Sequence, residues 1–361
     1  AYREALAFFD RARGLAPASL SLLLWSGEAK HHQGEFEGAQ LDWQAALTLA
    51  REMKDRLFSA RVLFRLSLSA SARGDLSAMQ RYLNECLRLA REVDDQTTLA
   101  EALYGQGNML WRQGRFAEAE ESLREALPLA RALDNHILEL YVMSRLGSLL
   151  LSRREIAAAR TLYEEACDLA RRLNNPERLA SALNNLGEID RLEGHYAEAR
   201  ERYREALHLQ REVGNPSAGS IALLNLGWIA LELNDGAEAE GVFGEVLRRS
   251  FQLKAWPQTL EAVVGLADLR AWHGDVSQAL SWLGAVQQHP AFDAQHGEVL
   301  DPILKRLRQT MSAEEVETGL ARGRQLKLEG VIEQLLLTPG VRYNDFNPGP
   351  VREEPRHESS T

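Results

Sequence analysis

The chain has 361 residues, 45% of them hydrophobic and 26% charged, with a formal net charge of -10. That apolar share is enough to bury a core, while the acidic balance argues against a nucleic-acid or anionic-membrane surface in this segment. No apolar run approaches the roughly 20 residues of a membrane-spanning helix and no secretory signal opens the chain, so a cytoplasmic protein is expected, with Cys86 and Cys167 as small core thiols.

Residues 1–17 are amphipathic and charged, and Ala5, Phe9, Ala12 and Ala16 stand in the register of a second helix with no first helix before it. Since the chain does not begin with Met, we expect a piece of a longer protein, with the preceding half-repeat upstream. From 18 to 290 one pattern recurs. Its clearest copy, Ala100 to Asn135, reads as a helix from about Leu99 to Gln113 and a second from Phe116 to Leu133. Apolar residues three and four apart mark one buried face on each, and Gly114 suits the left-handed residue that ends the first. One such hairpin cannot hide its apolar face alone.

The turn residues Gly34, Gly74, Gly114, Arg154, Gly194, Asn234 and Gly274 stand forty residues apart throughout. Seven residues before them the side chains are small: Gly27, Ser67, Gly107, Gly147, Gly187, Gly227 and Ala267. Nine after them come Trp43, Leu83, Leu123, Tyr163, Tyr203, Phe243 and Leu283, and twelve after them Ala46, Cys86, Ala126, Ala166, Ala206, Val246 and Val286. Small residues let helices approach closely, and a large one fills the gap between neighbouring hairpins. Between repeats stand breakers: Asp94-Asp95, Asp134-Asn135, Asn174-Asn175-Pro176 and Gly214-Asn215-Pro216. Acidic residues on the outer faces are expected to pair with Arg one turn away on the same helix.

These columns resemble the tetratricopeptide repeat (TPR), most closely in GNMLWRQGRFAEAEESLREAL and LNNLGEIDRLEGHYAEARERYREALHL, with a period of 40 in place of 34. The resemblance implies an all-α, right-handed superhelical solenoid of about seven TPR-like hairpins over 18–290. Helices near Glu298–Met311, Ala313–Gly323 and Leu328–Leu337 would form a C-terminal helical cap over 291–337, and proline-rich 338–361 reads as a disordered tail. The stretch TGLARGRQLKLEGVIEQLL is similar to the ending of repeat regions in bacterial STAND-type signalling ATPases, including LuxR-type regulators. It matches at Ala321, Gly323, Arg324, Leu326, Leu328, Glu329 and Ile332, and departs at Gly330, where that ending has Ala.

No catalytic signature is present: no phosphate-binding G-x-x-x-x-G-K-[ST], no G-x-S-x-G, no H-E-x-x-H and no C-x-x-C pair. His31 and His32 are adjacent, so their rings diverge by about 100° of helical rotation and do not converge on a metal. We therefore expect a non-catalytic binding module with no cofactor and no metal. The TPR resemblance implies that first helices line a concave groove. The residues it places there are Trp25, Glu28, Arg65, Tyr104, Asn108, Trp111, Tyr141, Arg145, Ser148, Asn185, Glu188, Arg191, Asn225, Trp228, Asp268 and Trp272. Aromatics and Arg are common interface anchors, and Asn can bond both sides of an extended peptide backbone. The resemblance implies the sensor of a STAND-type ATPase, taking a small-molecule inducer, a peptide or protein segment, or the upstream ATPase domain of its own chain. The alternative is a structural adaptor docking an extended peptide.

Overall fold

The structure is a computed structural model that describes residues 19–214 and 216–337, without the side chains of 216–218 and 295. The expected half-repeat at 1–17 and the tail at 338–361 lie outside the described residues. Among those described, every element is helical. Seven hairpins come first: α1 (Leu20–His32) with α2 (Phe36–Glu52), α3 (Arg56–Ala72) with α4 (Leu76–Glu92), α5 (Gln96–Arg112) with α6 (Phe116–Ala132), and α7 (His136–Ser152) with α8 (Ile156–Arg172). Then come α9 (Pro176–Leu192) with α10 (Tyr196–Val213), α11 (Pro216–Glu232) with α12 (Gly236–Gln252), and α13 (Trp256–Trp272) with α14 (Val276–Gln287). Three further helices close the array: α15 (Ala294–Thr310), α16 (Ala313–Gly323) and α17 (Leu328–Leu337). The contacts divide the chain into two units, Ala1–Leu169 and Ala170–Thr361.

Local chemistry sets these boundaries. All seven expected turn residues are left-handed, Arg154 at φ 64° and Asn234 at φ 57° among them. A second left-handed column, unforeseen, runs between repeats through Lys54, Asp94, Asp134, Asn174, Gly214 and Lys254. Asp and Asn tolerate that conformation because their short side chains bond locally. The next residue is the N-cap: Asp55 accepts from the Phe58 amide at 2.9 Å, Asn135 from Leu138 at 3.1 Å and Asn175 from Arg178 at 3.0 Å. Each cap satisfies an amide that the first turn of a helix leaves open. Asp95 caps α5 in the same way, so that helix starts at Gln96, earlier than the apolar pattern alone suggests.

In the first unit α1 to α7 pack in chain order, each second helix lying against its own first helix and the first helix of the next repeat. The glycine column is the reason they fit. A Cβ at Gly107 would stand 2.7 Å from Leu123 Cγ, and one at Gly147 would stand 2.6 Å from Tyr163 Cζ. The large residue thus seats first in its own hairpin. It also reaches the next: Leu83 lies under Gly105, where a Cβ would meet it at 3.3 Å. The second unit stacks α9 to α14 by the same rule, with Tyr203 and Phe243 fully buried.

The cap departs from the repeat. Helix α15 lies beside α13, α16 crosses α14, and α17 packs on α12 and α14. At the crossing, backbone meets backbone: a Cβ at Gly323 would stand 2.1 Å from the Ser281 carbonyl oxygen, and one at Gly284 would stand 2.2 Å from that of Leu320. Gly330, the departure from the motif, faces open space. Helix α15 begins at Ala294 rather than near Glu298 because Asp293 and His296 form a reciprocal capping box there.

The outer charges pair differently from the expectation. Some bonds do run within one helix, as in Arg88–Glu92 at 2.5 Å. A further set joins successive second helices: Arg51–Glu85 at 2.8 Å, Arg91–Glu125 at 2.9 Å, Arg131–Glu165 at 2.6 Å, Arg171–Glu205 at 3.6 Å and Arg211–Glu245 at 3.1 Å. All but Arg211–Glu245, whose glutamate is buried, are exposed pairs, which contribute about 0.2–1 kcal/mol each, so they set register more than they hold the fold.

Candidate functional site

In the first unit, α1, α3, α5 and α7 stand side by side and carry nine of the sixteen expected binding residues. Trp25 is 55% exposed. The Arg65 Nε donates to Glu28 at 2.9 Å while its other end lies 3.8 Å from Glu101, so an acid–base–acid chain ties α1, α3 and α5. Burial pushes the Glu101 carboxyl above its ordinary range, against the pull of Arg65. Further along, Arg145 donates from Nε to Asn108 Oδ1 at 2.7 Å, and its guanidinium carbon lies 4.5 Å above the Trp111 ring. Tyr104 and Tyr141 stack with ring centres 5.8 Å apart. The Ser148 hydroxyl is bonded to Tyr163 Oη at 3.1 Å. Burial pushes the Tyr163 hydroxyl up to about 12.

The second unit builds its own face on α9, α11 and α13. Asn225 Nδ2 donates to Asn184 Oδ1 at 3.0 Å, with Asn185 half-buried next in sequence. Arg191 donates twice to Glu188, at 2.9 and 2.6 Å, and the Tyr203 hydroxyl donates to the same carboxylate at 3.3 Å. Trp228 is half-buried: its ring meets Phe243 edge-on at 5.1 Å and its indole N–H donates to Glu261 at 3.0 Å. Trp272 stays 47% exposed, with the Arg306 guanidinium 5.5 Å over its ring.

Asp268 corrects the expectation. Its place in the column put it on the binding face, yet it is 5% exposed and ion-paired to Arg306 of α15. It anchors the cap because α15 brings a cation where no eighth repeat follows. Burial raises its carboxyl above the ordinary range, with Arg306 opposing. The native state therefore holds that proton more tightly than the unfolded chain does. The stability this contributes is fully present below the ordinary carboxylate range and is lost as pH rises through the raised native value. Asp268→Asn is expected to flatten that part of the stability-against-pH curve, read by chemical unfolding across acidic pH; an unchanged slope would show that the group does not titrate in this way.

Asp190, Glu193 and His195 bring ligand atoms within 4.8 Å of one another near the fifth turn, a cluster the spacing rules did not flag. Buried Asp190 pairs with Arg202, whose Nε lies 2.5 Å away, while Glu193 and His195 are exposed. The two faces present exposed indoles, guanidinium groups fixed over rings, and amides with free valences.

Residues 98–172 and 178–250 match the tetratricopeptide repeat family. Over those two stretches the chain carries tetratricopeptide repeats. Among solved structures, a Signal Transduction ATPase with Numerous Domains (STAND) protein with a TPR sensor, from Pyrococcus horikoshii, is similar at a TM-score of 0.67 and 16% identity. That match covers 84% of this chain and 46% of the other, so the chain spans under half of that protein. Aspartyl phosphate phosphatase F from Bacillus subtilis is similar at a TM-score of 0.57 and 15% identity, covering 74% of this chain and 69% of the other. BtubC from P. vanneervenii is similar at a TM-score of 0.52 and 20% identity, covering 61% of this chain and 91% of the other. No curated protein matches the chain. No described helix is long and apolar enough to cross a membrane.

Within the TPR columns, sequence reasoning passed over Glu101 and Glu261. Both stand thirteen residues before a turn, in the column that supplies Tyr141 and that the family also turns inward. Reading that column through every repeat would have found them.

Proposed function

We propose that the TPR array is the sensor module of a STAND-type signalling ATPase, a cytoplasmic bacterial transcriptional regulator, and that its first-helix faces bind an inducer or partner segment. The observation that carries this is the set of polar anchors on the first helices: Arg145 held over Trp111 and bonded to Asn108 of the neighbouring first helix, and Arg191 bonded to Glu188 within α9, both arginines half-buried. Guanidinium groups fixed in this way lose little freedom on binding, which favours anchors. The likeness in fold to the STAND TPR sensor and the closing motif around Gly323 and Arg324 support the same reading. In this reading an upstream nucleotide-binding domain lies elsewhere in the parent protein, and ligand binding releases it from autoinhibition.

The test is a thermal-shift screen against small metabolites and extended peptides, since a ligand that binds the native state raises the midpoint. Arg145→Ala and Arg191→Ala are expected to weaken a hit at least tenfold while moving the unliganded midpoint by no more than a few degrees. A large fall in midpoint for either variant would mark that arginine as structural and the mapping as wrong. A second reading, a structural adaptor, is favoured by one feature: the Asn225–Asn184 amide pair suits an extended backbone as well as it suits a metabolite. Hits confined to peptides would select it.

A further inference from the structure

On the first-helix side of the second unit a cleft of about 320 Å³ opens between α11, α13 and α15. Its apolar walls are Ile221 and Leu224 from α11, Val264 from α13 and Val299 from α15, and Ile221 is 51% exposed. Its polar lining includes Asn225, Gln258, Glu261 and Glu298. The shape follows from the end of the array, where α15 takes the place beside α13 that another first helix would fill. His296 is a wall rather than a ligand: its Nε2 bonds to the Pro257 carbonyl at 3.1 Å and its Nδ1 to Asp293 at 2.6 Å.

The charges in this cleft do not balance. Among the described residues neither Glu261 nor Glu298 is paired with a cation. Glu261 takes one hydrogen bond, from the Trp228 indole, which fixes the carboxylate without neutralising it. Elsewhere on the first helices the half-buried acids are matched, Glu28 by Arg65 and Glu188 by Arg191. Two unmatched carboxylates above four aliphatic walls form a slot for a long side chain with an apolar stem and a cationic tip. The flanking Asn225 keeps an acceptor oxygen free, since its amide nitrogen makes the bond to Asn184.

We propose that this cleft is the specificity pocket for an arginine or lysine side chain of an extended peptide. The stem lies along Ile221, Leu224, Val264 and Val299, the charged tip lies between Glu261 and Glu298, and Asn225 accepts from the peptide backbone. This rests on the reading that first-helix faces bind the ligand, and it adds which residue is recognised and where.

The probe is a positional-scanning library of extended nonapeptides, selected on the protein and on the Glu261→Gln/Glu298→Gln double variant, which keeps both side chains' shapes. The expected result is enrichment of Arg or Lys at one fixed position, at least tenfold, abolished in the double variant. Citrulline at that position should bind at least tenfold more weakly, and the preference should weaken with added salt. Peptides enriched without a basic position, or with one that survives the double substitution, would overturn this inference and leave the binding face standing. Failure of every peptide while a metabolite raises the midpoint would overturn the peptide occupant. No binding of either kind would overturn the pocket and the sensor reading together.

Discussion

Gly323→Ala is expected to loosen the C-terminal cap by about 3 kcal/mol, against the ordinary effect of such a change. In a helix, alanine normally gains up to about 1 kcal/mol over glycine. Here its methyl would lie 2.1 Å from the Ser281 carbonyl oxygen and 2.9 Å from the Gly284 Cα, and backbone cannot rotate aside as a side chain can. Helices α14 and α16 would have to part, exposing Leu320, Leu328 and Ile332, all now buried. Stability in a repeat array is close to a sum of local terms, so the loss should stay local. Hydrogen exchange should show α16 and α17 losing protection while α3 to α6 keep theirs. Gly330→Ala, in the first turn of α17 and facing open space, is the control and should stabilise. A raised midpoint for Gly323→Ala would refute the crossing.

Phe243→Ala should cost about 3–5 kcal/mol, the usual range for emptying a buried phenylalanine site. The ring is fully buried between two glycines, and a Cβ at Gly227 or Gly265 would stand 2.6 or 2.4 Å from it. Gly265→Ala alone should also destabilise, by about 1–3 kcal/mol through overpacking. Together the two changes should be less harmful than their sum, since the methyl then enters space the ring has left. The expected coupling is about 2 kcal/mol, read from a double-mutant cycle by chemical unfolding. Additive costs would mean that the glycine and the ring do not meet.

Much of this was legible before any coordinates. The forty-residue spacing located the turn within each of the seven hairpins, and the small and large columns located residues that touch. Two kinds of feature stayed hidden. The left-handed column between repeats is occupied by Lys54, Asp94, Asp134, Asn174 and Lys254, and composition shows no need for glycine there because Asp and Asn supply local bonds and lysine simply bears the cost. The Arg–Glu pairs between second helices span 34 positions, and a same-helix rule of three or four cannot see them. The period contains them, since the arginines stand seventeen residues after each turn and the glutamates eleven. The fate of Asp268 was not legible at all. Its burial depends on where α15 lands, and no repeat column describes a helix that ends the pattern.

The two left-handed columns fix more than the path of one chain. The second to sixth hairpins each enter and leave through a turn of the same hand and length, so a block of forty residues cut within that stretch begins and ends with the same geometry. Duplicating or deleting such a block joins compatible ends without a new connection. Length is then a property that recombination can change in whole steps, while the outermost pieces, including the glycine-locked cap, must be kept intact.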